Sequence, residues 1–188
     1  ESSLDGVSAL MLLKPKDKQE EEKLVGRFLS GLKKLLSQND NWLFWQPLIQ
    51  TLDGCVRCQT CSEACPIYVS SGKQEIYRPT YRTELLRRLT NKYVKKRGKV
   101  LFRLTGDDIE LNWQTVARLA ELAYRCTLCR RCSQTCPLGA DNGLITREIR
   151  KLFSQELGWS PEELHEKGTV SQLKVGSPTG MKPRVAKD

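Results

Sequence analysis

Eight cysteines are the residues of this 188-residue chain whose type and spacing could do chemistry, and all eight fall in two short runs. The first run, "CVRCQTCSEACP", places Cys55, Cys58, Cys61 and Cys65 ahead of Pro66. The second, "CTLCRRCSQTCP", places Cys126, Cys129, Cys132 and Cys136 ahead of Pro137, each cysteine displaced by 71 positions from its counterpart. A binding unit has been duplicated within the chain. Thiols in a reducing compartment stay reduced unless a metal takes them, so the crowding favours metal ligation over disulfides. Thiolates at i, i+3 and i+6 can each take one iron corner on a face of a four-iron cubane, and a fourth ligand must then come from elsewhere. A zinc site would use two cysteine doublets in one tetrahedral centre, with no need of the third and fourth cysteines or of the proline. Proline fixes φ and removes a donor, which lets the chain leave the loop and enter the next element.

On these residues the sequence resembles the alpha-helical ferredoxins, and within them the C subunit of heterodisulfide reductase and its relatives in sulfur metabolism. It is also similar to the iron-sulfur end of the anaerobic glycerol-3-phosphate dehydrogenase C subunit. The resemblance spans roughly residues 40 to 160 and implies two 4Fe-4S clusters. In two-cluster ferredoxins the cysteine of each Cys-Pro pair reaches across to the other cluster. That pattern implies Cys55, Cys58, Cys61 and Cys136 at one cluster and Cys126, Cys129, Cys132 and Cys65 at the second. It further implies an electron-transfer subunit in a heterodisulfide reductase-like hetero-oligomer, between a flavin-bearing A-type subunit and a cysteine-rich B-type catalytic subunit. The adjacent Cys-Cys pairs of that catalytic domain do not occur here, and "KVGSPTGMKPRVAKD" resembles the connector leading to it in longer relatives. The chain is therefore expected to be a separate subunit or an electron-carrying part. Two alternatives stay open: an iron-sulfur subunit of a quinone-linked, membrane-associated dehydrogenase, and a nucleic-acid-binding protein with structural clusters.

The elements that must position these loops read as all-α, with two cluster-binding loops between helices. Leu24, Val25, Phe28, Leu29, Leu32, Leu35 and Leu36 recur at three and four, predicting a helix from Asp17 to Gln38 that Gly26 and Gly31 weaken. Thr80 to Asn91 reads as a helix started by Pro79. "GDDIELNWQTVARLAELAYR" predicts a helix capped by the Asp107 and Glu110 box and running into Cys126. A further helix spans Asn142 to Leu157 and is closed by Gly158, and a short one in "SPEELHEKG" is capped by Ser160 and Glu163 and stopped at Gly168. The organisation is then an arm over 1–16, a helical segment over 17–51, the two-cluster domain over 52–168 and a linker or tail over 169–188. Trp42, Phe44 and Trp45 are expected to pack in the core, with docking as the other reading.

Charge and composition narrow the function. The chain carries a formal +9; two oxidised clusters at about −2 each would bring it nearer to +5. Ten basic residues between Arg78 and Arg103 face the single acid Glu84. They read as a solvated face or as a docking surface for an acidic partner. Tyr77, Tyr81 and Tyr93 alone are thin aromatic interleaving for a single-strand binder, so the electron-transfer reading expects no nucleic-acid partner. Arg57, Arg125, Arg130 and Arg131 lie in or beside the cysteine loops, where positive charge would favour a reduced cluster. His165, the only histidine, is expected to lie at the surface or to cap a helix end. Phosphate loops, dinucleotide glycine patterns and nucleophile-base pairs are lacking, so no catalytic residue is expected. The longest apolar runs, "ALMLL" and "WLFW", are far short of the eighteen or so residues of a span. The start has no secretory layout, and a cytoplasmic chain is expected, peripheral to a membrane if the quinone-linked alternative holds.

Overall fold

A computed structural model describes residues 13–95 and 109–177, and the fold is all-α, with no strand among those residues. α1 (Lys18–Leu35) begins where the Asp17 carboxylate accepts the Glu20 N–H at 2.7 Å, has Glu20 and Glu21 in its first turn and ends with Lys33 and Lys34. Each charge opposes the helix dipole at its end. Phe28, Gly31, Leu32 and Leu35 form its buried stripe. Asn41, itself buried, donates to Leu35 O at 3.0 Å, and the Trp45 indole donates to Leu36 O at 3.0 Å. These bonds close the turn into α2 (Trp45–Gly54), which leads into Cys55.

The aromatic run at that turn does not form the expected core knot. Trp42 is 75% exposed and Leu43 lies beside it in solvent. Trp45 is half-buried through its indole hydrogen bond, and Phe44 lies under the Arg147 guanidinium, 3.7 Å from the ring centroid.

The second half of the scaffold follows the first cysteine loop. α3 (Pro66–Ser70) starts on the proline of the Cys-Pro pair. α4 (Pro79–Leu89) starts at the proline expected to open it, then widens into a π turn over Thr90–Val94. α5 (Trp113–Arg125) is capped by Asn112, whose side chain accepts the Thr115 N–H, so the predicted start at the Asp107 and Glu110 box is corrected. Asp107 lies outside the described residues, and Glu110 sits in irregular chain. The reason is tertiary: Lys92 donates to Ile109 O at 2.9 Å and the Leu111 N–H donates to the Tyr93 hydroxyl at 3.0 Å, so 109–111 are bound to α4's extension instead of winding. After α6 (Arg131–Gln134), α7 (Asn142–Leu157) starts and stops as predicted, with Gly158 at φ 65° donating its N–H to Phe153 O.

α7 is the axis of the domain. Ile145, Ile149, Leu152, Phe153 and Leu157 are buried against α1, α2, α4 and α5. Phe28 packs on Phe153 at 5.8 Å between centroids, and Trp159 turns back to stand edge-on to both Phe153 and Tyr124. Gly31 sets the spacing of α1 on α7, since a Cβ there would meet Glu156 Cγ at 2.4 Å and Cβ at 3.1 Å. The glycine read as a weak point of α1 is thus a contact point. Gly31→Ala is expected to destabilise the protein by about 1–2 kcal/mol in denaturant unfolding, because overpacking outweighs the helix propensity alanine gains. A stabilised variant would mean the two helices do not meet there.

The last elements correct another expectation. α8 (Glu162–Leu164) passes into a π turn (His165–Val170) and then α9 (Ser171–Val175), closed by Gly176 at φ 73°. Gly168 therefore does not stop the helix, Ser160 does not cap it, and the helix runs seven residues past the boundary read at 168. His165 stands exposed inside this extension and not at its end. No residue of these three elements is buried.

Candidate metal centre

Both cysteine loops are delivered in the same way. α2 ends at Gly54 with the Cys55 N–H bonded to Thr51 O, and α5 ends at Arg125 with the Cys126 N–H bonded to Ala123 O. The backbones that follow are copies. Arg57 and Gln59 have φ of 57° and 65°, and their counterparts Leu128 and Arg130 have φ of 55° and 59°. Left-handed conformation at four non-glycine residues carries a cost of about 1 kcal/mol or more each. The same strained pair recurs at the same two offsets, so the two cysteine triplets sit on matching backbones.

Surrounding groups hold that conformation. Arg78 donates to the Gln59 side-chain oxygen and to the Tyr68 hydroxyl, while Arg57 pairs with Glu84 at 3.2 Å. Glu84 also takes Arg87 and Arg88; burial pushes its carboxyl up, but these arginines and Arg57 outweigh it and hold the group below the usual carboxylate range. In the second loop Arg130 and the Ser133 hydroxyl both donate to Asp141, which caps α7 through the Leu144 N–H. The Asp141 backbone N–H in turn donates to Thr51 Oγ1 of α2 at 3.0 Å.

Within each triplet the exposure pattern also repeats: Cys55 and Cys126 are half-buried, Cys58 and Cys129 exposed, Cys61 and Cys132 buried. A cavity of about 280 Å³, counting space open to solvent, is lined by Cys55, Cys58 and Cys61 together with Cys136 from the second run. Asn142 also lines it, its amide 4.0 Å from Cys61 Sγ. Burial pushes the Cys61 thiol up to about 12, and Cys132, Cys55 and Cys136 add to the rise. Burial likewise raises Cys132, with Cys126 and Cys65 adding and Arg82 opposing. Cys61 and Cys132 thus each have cysteines of both runs as electrostatic neighbours. Cys58 and Cys129 are lowered, the first by its hydrogen bond with Thr60 and the second by the Arg131 N–H. Backbone donors reach two more sulfurs: Leu128 N–H to Cys126 at 3.4 Å and Ala140 N–H to Cys136 at 3.2 Å.

The donor set fits a 4Fe-4S group. Four soft thiols from two loops surround one cavity, peptide N–H groups point at sulfur, and the innermost thiols, costly as isolated thiolates, become favourable ligands once iron shares their charge. Among the described residues no group of three His, Cys, Asp or Glu side chains is drawn together as a site for a single metal ion.

The basic stretch takes on a different character from the one its charge suggested. Arg78 pairs with Glu75, Arg87 and Arg88 with Glu84, and Lys95 with Asp53. Arg82 is buried. Lys96, Arg97, Lys99 and Arg103 lie outside the described residues. Of the loop arginines, Arg57, Arg125 and Arg130 are engaged by Glu84, Glu121 and Asp141. Sequence reasoning missed Asn142, Asp141 and Thr51, which tie the two loops together. The α7 cap at Asp141 was the one available signal.

Residues 51–140 match the family model described as a 4Fe-4S dicluster domain. Over 128 residues the chain is 34% identical to the Hdr-like menaquinol oxidoreductase iron-sulfur subunit 2 of Archaeoglobus fulgidus, covering 68% of this chain and 22% of that protein. It is 27% identical over 101 residues to a probable glycolate oxidase iron-sulfur subunit of Bacillus subtilis, covering 54% of this chain and 18% of the relative. It is 29% identical over 102 residues to one of the subunits of the dihydromethanophenazine:CoB–CoM heterodisulfide reductase of Methanosarcina barkeri, covering 54% of this chain and 24% of that protein. The chain therefore spans less than a quarter of the length of these relatives. No solved structure matches it. No helix among the described residues is long and apolar enough to cross a membrane.

Proposed function

We propose that this chain, an iron-sulfur electron-transfer protein similar to heterodisulfide reductase-like iron-sulfur subunits, carries two 4Fe-4S clusters as the electron-transfer subunit of such a complex. The ligands would be Cys55, Cys58, Cys61 and Cys136 at one cluster and Cys126, Cys129, Cys132 and Cys65 at the other. The observation that carries this reading is the cavity lined by the first triplet and the fourth cysteine of the opposite run. The repeated left-handed pairs support a second site built like the first.

When bound, such clusters supply one-electron transfer without proton or group chemistry. The chain's own residues set where electrons can come and go. Cys61 and Cys132 hold the buried sides, while Cys58 and Cys129 stand at the surface. Around Cys58 the exposed Val56 and Leu138 stand beside the Arg57–Glu84 ion pair. Around Cys129 the rim is polar and basic, with Arg131 exposed. Two rims of different chemistry suit two different partners: a cysteine-rich B-type subunit and an A-type flavoprotein. The domain doing this would run over 52–168, preceded by the arm 1–16 and the helical segment 17–51 and followed by the linker or tail 169–188.

A second reading is favoured by the Archaeoglobus relative, whose name couples heterodisulfide reductase likeness to menaquinol. There the electron donor is a quinol-oxidising membrane subunit in place of the flavoprotein.

Anaerobic purification from the native cell tests both. About eight irons per chain, two reducible EPR signals and a co-purifying cysteine-rich subunit are expected. A flavoprotein in the same sample supports the first reading, and a membrane subunit supports the second. Zinc in place of iron overturns the cofactor assignment.

A further inference from the structure

In a chain of which 28% of residues are charged, α2 carries a single charge. Leu43, Gln46, Pro47, Gln50 and Gly54 are exposed at intervals of three or four, so they fall on one side of the helix and the turn before it. Asp53, the one charge, is exposed beside them and is held by Lys95 at 2.9 Å. The outer side of α1 is the contrast, with Glu22, Lys23, Arg27, Lys33 and Lys34 all exposed. A solvated helix face is charged in that way. Depletion of charge on an exposed face marks a surface that meets another protein.

Both ends of the face are apolar. At its start the indole of Trp42 stands 75% exposed beside Leu43, on a turn locked by the Asn41 and Trp45 hydrogen bonds. At its end, about 15 Å away along the ten residues of α2, the exposed Val56 and Leu138 line the cavity of Cys55, Cys58, Cys61 and Cys136. The charges bordering the face are paired, Arg57 with Glu84 and Arg147 with the buried Glu148. A tryptophan protruding from a rigid turn costs little to immobilise, and tryptophan is among the residue types that anchor protein interfaces.

We propose that this face of α2, from Trp42 to Val56 and Leu138, is the docking surface for a partner protein subunit, which lies across it and reaches the Cys55, Cys58, Cys61 and Cys136 cavity. The inference rests on the electron-transfer subunit reading above and says where on the chain one partner sits. Charge complementarity sets that partner's chemistry: an uncharged, apolar surface with a pocket for an indole. A membrane is the poorer match, because helices that lie on lipid carry lysines and arginines along their polar side and α2 has none. A second copy is opposed by the formal +9 on each chain.

The native complex and the isolated chain, both kept anaerobic, are labelled with a photoactivated carbene and read residue by residue by mass spectrometry. Trp42, Leu43, Val56 and Leu138 are expected to lose label several-fold in the complex, and unchanged labelling there overturns the proposal. Protection of the same residues in the isolated chain, by self-association or by phosphatidylglycerol vesicles, assigns the face to a second copy or to a membrane and overturns it as well. A chain carrying Trp42→Ala or Gln50→Lys, expressed in the native cell, is expected to retain its iron and to hold the partner subunit at least about tenfold more weakly. Lys23→Ala on the charged face of α1 is expected to change neither, and an equal loss from it overturns the proposal. Because the contact is uncharged, the partner is expected to stay bound between about 0.1 and about 1 M salt, over which the screening length falls from about 10 to about 3 Å. Release by salt assigns the docking to charged residues and overturns the proposal. Should the variants lose iron, the footprint of the wild-type complex decides alone. A chain that purifies from the native cell with no partner subunit overturns the subunit reading and this inference together, whereas a complex in which Trp42 and Val56 label as in the isolated chain overturns this inference alone.

Discussion

Replacing Cys136 with serine is expected to remove the cluster of Cys55, Cys58 and Cys61 and to leave that of Cys126, Cys129 and Cys132, with iron falling from about eight to about four per chain. Cys65→Ser is expected to do the converse. The cavity between the first triplet and Cys136 is the reason, since the fourth thiol there comes from the opposite run. A double variant separates this from ligation within each run. Under crossed ligation Cys61 and Cys136 serve one cluster, so Cys61→Ser with Cys136→Ser retains about four irons. If each run served its own cluster, the pair would leave close to none. Effects at residues sharing one site are not additive, and that is what the iron count reads. Crossed ligands also staple loops 71 residues apart, so the cluster retained in each single variant is expected to be lost at a lower temperature than in wild type.

Asp141→Ala is expected to lower stability by roughly 2–3 kcal/mol in denaturant unfolding, and Asp141→Asn by about 1 kcal/mol, because alanine loses the α7 cap and strands the Ser133 and Arg130 donors while asparagine still caps. Burial pushes the Asp141 carboxyl up, but Ser133, the Leu144 N–H and Arg130 prevail and hold it below the usual range. A carboxylate lowered in the folded state stabilises the fold above its unfolded value of about 3.9, and that stability is lost as pH falls through the lower folded value. The difference between wild type and Asp141→Asn is therefore expected to be constant near neutrality and to close in acid, below about pH 4. A gap that persists unchanged at about pH 3 would mean the charge is not what holds the second loop to α7.

The elements read correctly from sequence are those whose determinants are local. Lys18–Leu35 and Asn142–Leu157 have an apolar stripe, an aspartate cap and, for the second, a glycine stop, all within a turn of where they act. The start of α5 was displaced because Lys92 and Tyr93 compete for the backbone of 109–111, and that competitor lies in another helix. Trp42 was misplaced for a related reason. Hydrophobicity states a preference for burial, but the turn closed by Asn41 and Trp45 leaves Trp42 no core to reach.

The chemistry of the chain was written in its sequence: eight thiols in two copies with trailing prolines specify an iron-sulfur protein, because ligand type and loop spacing are local properties. Tertiary structure alone decided which charge of the basic run is buried. Ten basic residues read along the chain are one charge run, and nothing in their spacing separates Arg82, sealed beside Thr146, from Arg87 and Arg88, paired at the surface with Glu84. Burial is settled by which helices meet. The packing of α4 on α7 sealed one arginine of that run beside Thr146 and left Arg87 and Arg88 at the surface.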